Sequence, residues 1–134
     1  MPATVPSSSP QLLCACLHLG HSLALGVYMS LAFRVHVLLV GKDAFKALLD
    51  GKAFKVAHAA QLNNTEWTPY YVVALLYLHT QGAGQAWVAY LSILGCVSYT
   101  ASKIGLGGKP APLSATARYL TMAALTWEVY QTGA

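Results

Sequence analysis

The sequence predicts an all-α integral membrane protein, a bundle of four helices, on three observations. Charged residues make up 9% of the chain, against about 25% in soluble globular domains. The apolar fraction is 56% and the mean hydropathy +0.50, so a soluble bundle of this composition would expose apolar patches large enough to aggregate. Finally, long apolar runs alternate with short polar connectors. A helix needs about 20 residues to cross hydrocarbon, and one domain of 134 residues holds four such passes with little left over.

The first run, residues 11–40, follows a Pro/Ser-rich start without a basic residue. It is far longer than a signal-peptide core and reads as an uncleaved first span. Ser9 or Ser8 caps it, with Pro10 in the first turn. Thirty helical residues reach about 45 Å, so the helix projects beyond hydrocarbon or breaks near Gly41. Residues 41–53 carry Ala44, Phe45, Ala47, Leu48 and Leu49 opposite Lys42, Lys46 and Asp50, the pattern of a short interfacial helix. The second span, 54–80, contains Pro69, which cannot donate to the helical ladder and predicts a kink. Residues 80–84, TQGAG, form a tight uncharged turn. The third span, 85–104, ends near Tyr99, Ser102 and Lys103. Residues 105–112, GLGGKPAP, break the helix; they mimic a phosphate loop without its Gly-Lys-Ser/Thr ending or its preceding strand. The fourth span, 113–130, begins with Ser114 as its cap and places Arg118 and Glu128 near opposite interfaces.

Charge sets the topology. The first and third connectors carry Lys42, Lys46, Lys52, Lys55, Lys103 and Lys109, whereas the middle connector and both tails carry no Lys or Arg. The positive-inside rule therefore puts connectors 41–55 and 103–109 on the cytosolic or equivalent negative side, with both termini opposite. The net charge of +4 comes from dispersed positives without interleaved aromatics, which excludes a nucleic-acid surface. Cys14, Cys16 and Cys96 lie in apolar runs. Three cysteines do not make a disulfide framework, and a lone C-x-C pair does not make a zinc site. The five histidines, His18 and His21 on one helix face among them, read as hydrogen-bonded core or interface groups. A tetrapyrrole would need partners on facing helices that the sequence does not pair.

One stretch contradicts the apolar pattern. Residues 58–71, HAAQLNNTEWTPYY, place Gln61, Asn63, Asn64, Thr65 and Glu66 inside the second span. Hydrocarbon penalises unpaired amides and, more heavily, an unpaired carboxylate. Helical spacing puts Asn63, Glu66 and Tyr70 on one face, with Gln61 and Thr65 on an adjacent stripe. The cations available to Glu66 are Arg34, Lys55, Lys103 and Arg118. The cluster is either a polar ligand site between helices or an interhelical hydrogen-bond network.

This stretch resembles the signature of the MAPEG superfamily, membrane-associated proteins of eicosanoid and glutathione metabolism that include microsomal glutathione transferases and a noncatalytic lipoxygenase-activating protein. The family's second helix carries Arg-Ala-(His/Gln)-x-Asn-x-x-Glu, then an aromatic and a proline. Ala60, Gln61, Asn63, Glu66, Trp67 and Pro69 stand in those positions, and Phe33, Arg34 and Val35 resemble the end of its first helix. The resemblance implies a glutathione site formed by Arg34, Gln61, Asn63, Glu66 and Tyr70, with Tyr99 and Lys103 as the catalytic pair near the sulfur. It implies glutathione as cofactor, lipid as neighbour, and a homotrimer or a larger heteromeric membrane complex; no metal is implied.

The departures from the pattern weigh against catalysis. The motif arginine is Ala59 here, and Lys103 and Lys109 stand near a family tyrosine and a family arginine respectively. Lysine does not replace arginine where planar bidentate pairing holds a carboxylate. The expectation is a divergent member that keeps the fold as a lipid-binding scaffold or accessory subunit. The alternative is a glutathione-dependent transferase or peroxidase acting on lipophilic electrophiles by electrostatic stabilisation of a thiolate.

Overall fold

A computed structural model describes residues 9–134; the possible Ser8 cap and the Pro/Ser-rich start before it lie outside the described residues. Five helices account for nearly all of the described residues: α1 Pro10–Val40, α2 Lys42–Asp50, α3 Lys52–Thr80, α4 Ala86–Gly105 and α5 Pro112–Gly133. No strand occurs among the described residues.

Local chemistry sets the limits of these helices. Ser9 Oγ accepts the Leu12 N–H at 3.2 Å, with Pro10 in the first turn of α1. The helix widens to a π turn over Ser30–Val35 and stops at Gly41, whose φ of 85° is left-handed. There the short α2 begins, half-burying Phe45, Leu48 and Leu49 and exposing Lys42, Asp43, Lys46 and Asp50. α3 runs unbroken through Pro69. It ends on Gly82 (φ 61°), where the Gly82 and Ala83 N–H groups return to His79 and Leu78 carbonyls in the helix-ending motif that glycine permits. α5 corrects one expectation: Pro112 fixes the start, so Ala111 is the cap and Ser114 lies inside the first turn. Ser114 Oγ instead donates to the Ala111 carbonyl at 2.8 Å and meets Ser102 Oγ at 3.1 Å.

α3 and α4 form the central pair. α1 packs along α3 and α4, and α5 packs against the same two helices. Ser9 against His79, His18 against Tyr71 and Phe33 against Phe54 show that α1 and α3 run antiparallel. The main core joins Cys14, Ala15, Tyr71, Leu75, Leu78, Val88, Ala89, Cys96 and Leu125; a smaller cluster of Met29, Phe33 and Ala57 sits toward α2.

Beside this apolar core, the interior holds many polar groups and the exterior many large apolar ones. Gln11, His18, Asn64, Thr68, Ser92, Thr100, Arg118 and Thr121 are buried, while Leu23, Leu38, Val73, Leu94, Leu113 and Leu120 are exposed. A water-soluble domain can expose single leucines, but apolar residues exposed in this number would form patches large enough to aggregate. Helices in hydrocarbon associate through close packing of small residues and interhelical hydrogen bonds, and Ala15, Ala60, Ala89, Ser92 and Gly95 are buried at the helix contacts. Among the described residues, one helix, Pro10–Val40, is long and apolar enough by composition to cross a membrane.

Gly95 sets the distance between α4 and α5. A Cβ there would stand 3.6 Å from the Arg118 backbone nitrogen and 3.7 Å from the Ala117 carbonyl carbon. That space admits one methyl group and nothing larger. Gly95→Ala is expected to change stability by less than about 1 kcal/mol, because alanine's helix propensity offsets its tighter fit. Gly95→Leu is expected to separate the helices and cost about 1–3 kcal/mol, read as the difference in unfolding midpoint between the two variants in detergent.

Candidate functional site

The centre of the polar cluster is a guanidinium. Arg118 of α5 is 3% exposed and points into the protein. Its Nη1 donates to Asn63 Oδ1 of α3. Its planar head lies 3.7 Å from the Tyr99 ring centroid of α4 and 4.4 Å from that of Trp67 of α3. A guanidinium is weakly hydrated and stacks on aromatic faces, so two π faces and one amide oxygen replace the carboxylate a buried cation usually finds. Arg118 Nε has no protein partner. The neighbouring carbonyl is also bound, since Tyr71 donates its hydroxyl to Arg118 O at 2.6 Å and lies 3.2 Å from Thr121 Oγ1.

Tyr71 links this group to a second polar layer. Its ring stacks on His18 of α1 at 4.6 Å, and His18 Nε2 meets Ser92 Oγ of α4 at 3.0 Å. His18 is therefore a hydrogen-bonded core histidine. Asn64 and Thr68, on the α1-facing side of α3, are buried.

The remaining sequence-identified residues are dispersed along the bundle. Glu66 and Tyr70 are exposed and flank Trp67 in a shallow groove with Met122 and Thr126; among the described residues no cation pairs with Glu66. Arg34 and Gln61 line a different pocket, with Phe33, Phe45, Phe54 and His58. Phe33 packs edge-on against Phe54 at 4.7 Å, which fixes the depth of its neighbour Arg34. Glu66 lies twelve residues beyond Phe54, about 18 Å along the helix axis. Lys103 forms a third group: its Nζ donates to the Ala59 carbonyl at 3.3 Å and lies 5.7 Å from the Tyr99 ring. Within one chain the structure thus unites Asn63 and Tyr99 through Arg118 and sets Lys103 beside them. It leaves Arg34 with Gln61, and Glu66 with Tyr70, on separate surfaces.

Sequence reasoning counted Trp67 in the polar stretch without pairing it to Arg118, missed Tyr71 and Ser92 as partners in this network, and took Arg118 as a residue near an interface and a potential counter-ion for Glu66. The signal was available in part. Arg118 is the one cation of the fourth apolar run, and a cation in such a run needs an interior partner.

With the geometry established, comparison with known proteins places the chain in a class. The model of the MAPEG family matches residues 10–133, nearly the whole chain. This protein belongs to the MAPEG family, and with that membership it is membrane-associated. No curated protein and no solved structure matches it.

The hydroxyl of Tyr71 provides a direct check of the network. Tyr71→Phe keeps the ring on His18 but removes both hydrogen bonds, and is expected to cost about 1 kcal/mol or slightly more. Its exposed neighbour makes the control, since Tyr70→Phe is expected to stay within about 0.5 kcal/mol. Equal midpoints for the two variants would contradict the arrangement.

Proposed function

We propose that this chain is a noncatalytic MAPEG-family scaffold, a four-pass bundle that binds lipid and serves in a homotrimer or a larger heteromeric membrane complex. The observation that carries this reading is the position of Arg118. The resemblance assigns Asn63 and Tyr99 to glutathione, yet both are engaged by a guanidinium from their own chain. A ligand that needed them would have to break the Asn63 hydrogen bond, part the guanidinium from the Tyr99 ring and satisfy Arg118 with an anion of its own. Ala59 removes the planar cation that the family motif places before its Ala-Gln pair.

The four passes are supported by the aliphatic exterior and by family membership. The lysines of α2, of the start of α3 and of the α4–α5 connector support a cytosolic or equivalent placement for that end. Glu66 supports assembly. A carboxylate on the outside of a single bundle is costly against acyl chains, so a neighbouring subunit that covers the Glu66–Tyr70 groove relieves a penalty the lone chain carries. Arg34 lies too far along the axis to supply the counter-charge in a ring of parallel copies, where each residue keeps its own depth.

A second reading, glutathione-dependent transfer to a lipophilic electrophile, has one observation in its favour. Lys103 Nζ approaches the Ala59 carbonyl, so a cation stands near the side chain that the motif arginine would have supplied, with Tyr99 beside it.

Turnover separates the two readings. The purified protein in detergent, given millimolar glutathione and a lipophilic electrophile, is expected to match the no-protein background and to show no thermal shift with glutathione. Turnover above that background that is abolished by Glu66→Gln would overturn the scaffold reading in favour of the transferase.

A further inference from the structure

The basic end of the bundle holds a pocket that the scaffold reading does not use and that shares Ala59 and Lys103 with the transferase reading. It measures about 380 Å³ and is lined by Lys52, Lys55, Val56 and Ala59 of α3, Lys103 of α4, Asp50, and Gly107 and Gly108 of the connector. Three lysines from two helices and one aspartate thus line one pocket. Among the described residues none of the three lysines is in an ion pair, and the only side-chain bond any of them makes is that of Lys103 to Ala59 O. The first turn of α3 opens on the same pocket, and it has no acidic residue and no side-chain cap. Its free N–H groups add positive potential.

The glycines keep this space open. A Cβ on Gly107 would stand 3.2 Å from Lys52 Nζ, and one on Gly108 would stand 3.2 Å from Val56 Cγ2. Both residues have positive φ, 66° and 107°. Any side chain here would be strained and would fill the space beside the lysines. The connector also folds back on α4, with the Gly108 N–H on Lys103 O at 2.7 Å, and this holds the wall in place.

We propose that this pocket binds a phosphate-bearing anion. Lysines are compact point charges, suited to the several oxygens of a phosphate rather than to the flat fork of a carboxylate, which arginine matches better. Two sources share this chemistry. At the headgroup level of a membrane the pocket would take the phosphate of an anionic phospholipid, and in water it would take a soluble phosphate. The inference rests on the end of α2, on α3 and α4, and on the α4–α5 connector, and its readout, retention of a phosphate-bearing anion, is separate from glutathione turnover.

The test uses the full-length chain in neutral detergent. One arm adds phosphatidic acid, with phosphatidylcholine as the comparison, and follows retained lipid by native mass spectrometry. The other adds inorganic phosphate or pyrophosphate against chloride at equal ionic strength and follows thermal unfolding. Wild type is expected to retain phosphatidic acid over phosphatidylcholine, to be stabilised by the soluble anion, or both; the responding arm identifies the source. Lys55→Gln with Lys103→Gln is expected to weaken that response about tenfold. Arginine at both positions is expected to preserve it. Lys42→Gln with Lys46→Gln, which removes the same charge elsewhere on that end, is expected to stay within about twofold of wild type. No response in either arm, or an equal loss in the two glutamine pairs, would overturn the proposal.

Discussion

A buried cation without a buried anion is the constraint on which this structure depends. Removing a guanidinium from water costs several kcal/mol unless the site returns equivalent interactions. Here one amide oxygen and two aromatic faces do so, and they come from different helices: Asn63 and Trp67 from α3, Tyr99 from α4, with Arg118 itself on α5. The group therefore fixes the mutual rotation of three helices. Tyr71 extends it by binding the Arg118 carbonyl and stacking on His18, which draws in α1 through a polar contact with Ser92.

Such a network has particular value where hydrophobic burial is weak. The outside of the bundle is as aliphatic as the inside, and lipid tails solvate leucine as well as a protein core does. Specific pairing then falls to small residues that let backbones approach, Gly95 and the buried alanines, and to polar groups that have one good partner. Asn63 and Tyr99 stabilise the bundle where they are, and Glu66 and Tyr70 lie on an outer groove away from them.

Much of the fold was legible because backbone chemistry marks it directly. Ser9 and Pro10 open α1, Gly41 closes it, and the Gly-rich turns near 82 and 107 end α3 and α4 through left-handed glycines. Ser114 misled because proline two residues earlier fixes φ and starts the helix first. Periodicity also showed which face of α2 is apolar. The lateral facing of isolated polar residues was much less legible. Asn63, Glu66 and Tyr70 share a helix face by spacing, but Trp67 lies between them and divides that face, sending Asn63 inward and leaving the others outside. Tyr119, next in sequence, has its ring 5.8 Å from the guanidinium, but nothing local to Arg118 points to Tyr99 on the preceding helix or to Trp67 on the one before that. The separation of Arg34 from Glu66 likewise follows from antiparallel register, which one sequence does not display.

The coupling between Arg118 and Asn63 tests this account most directly. Thermal or denaturant unfolding in detergent of wild type, Arg118→Met, Asn63→Leu and the double variant closes a mutant cycle. A coupling energy above about 1 kcal/mol, with the double variant less destabilised than the sum of the singles, is the predicted result. Additive effects would contradict it, because the guanidinium would then be held by something other than the helix it is seen to grip.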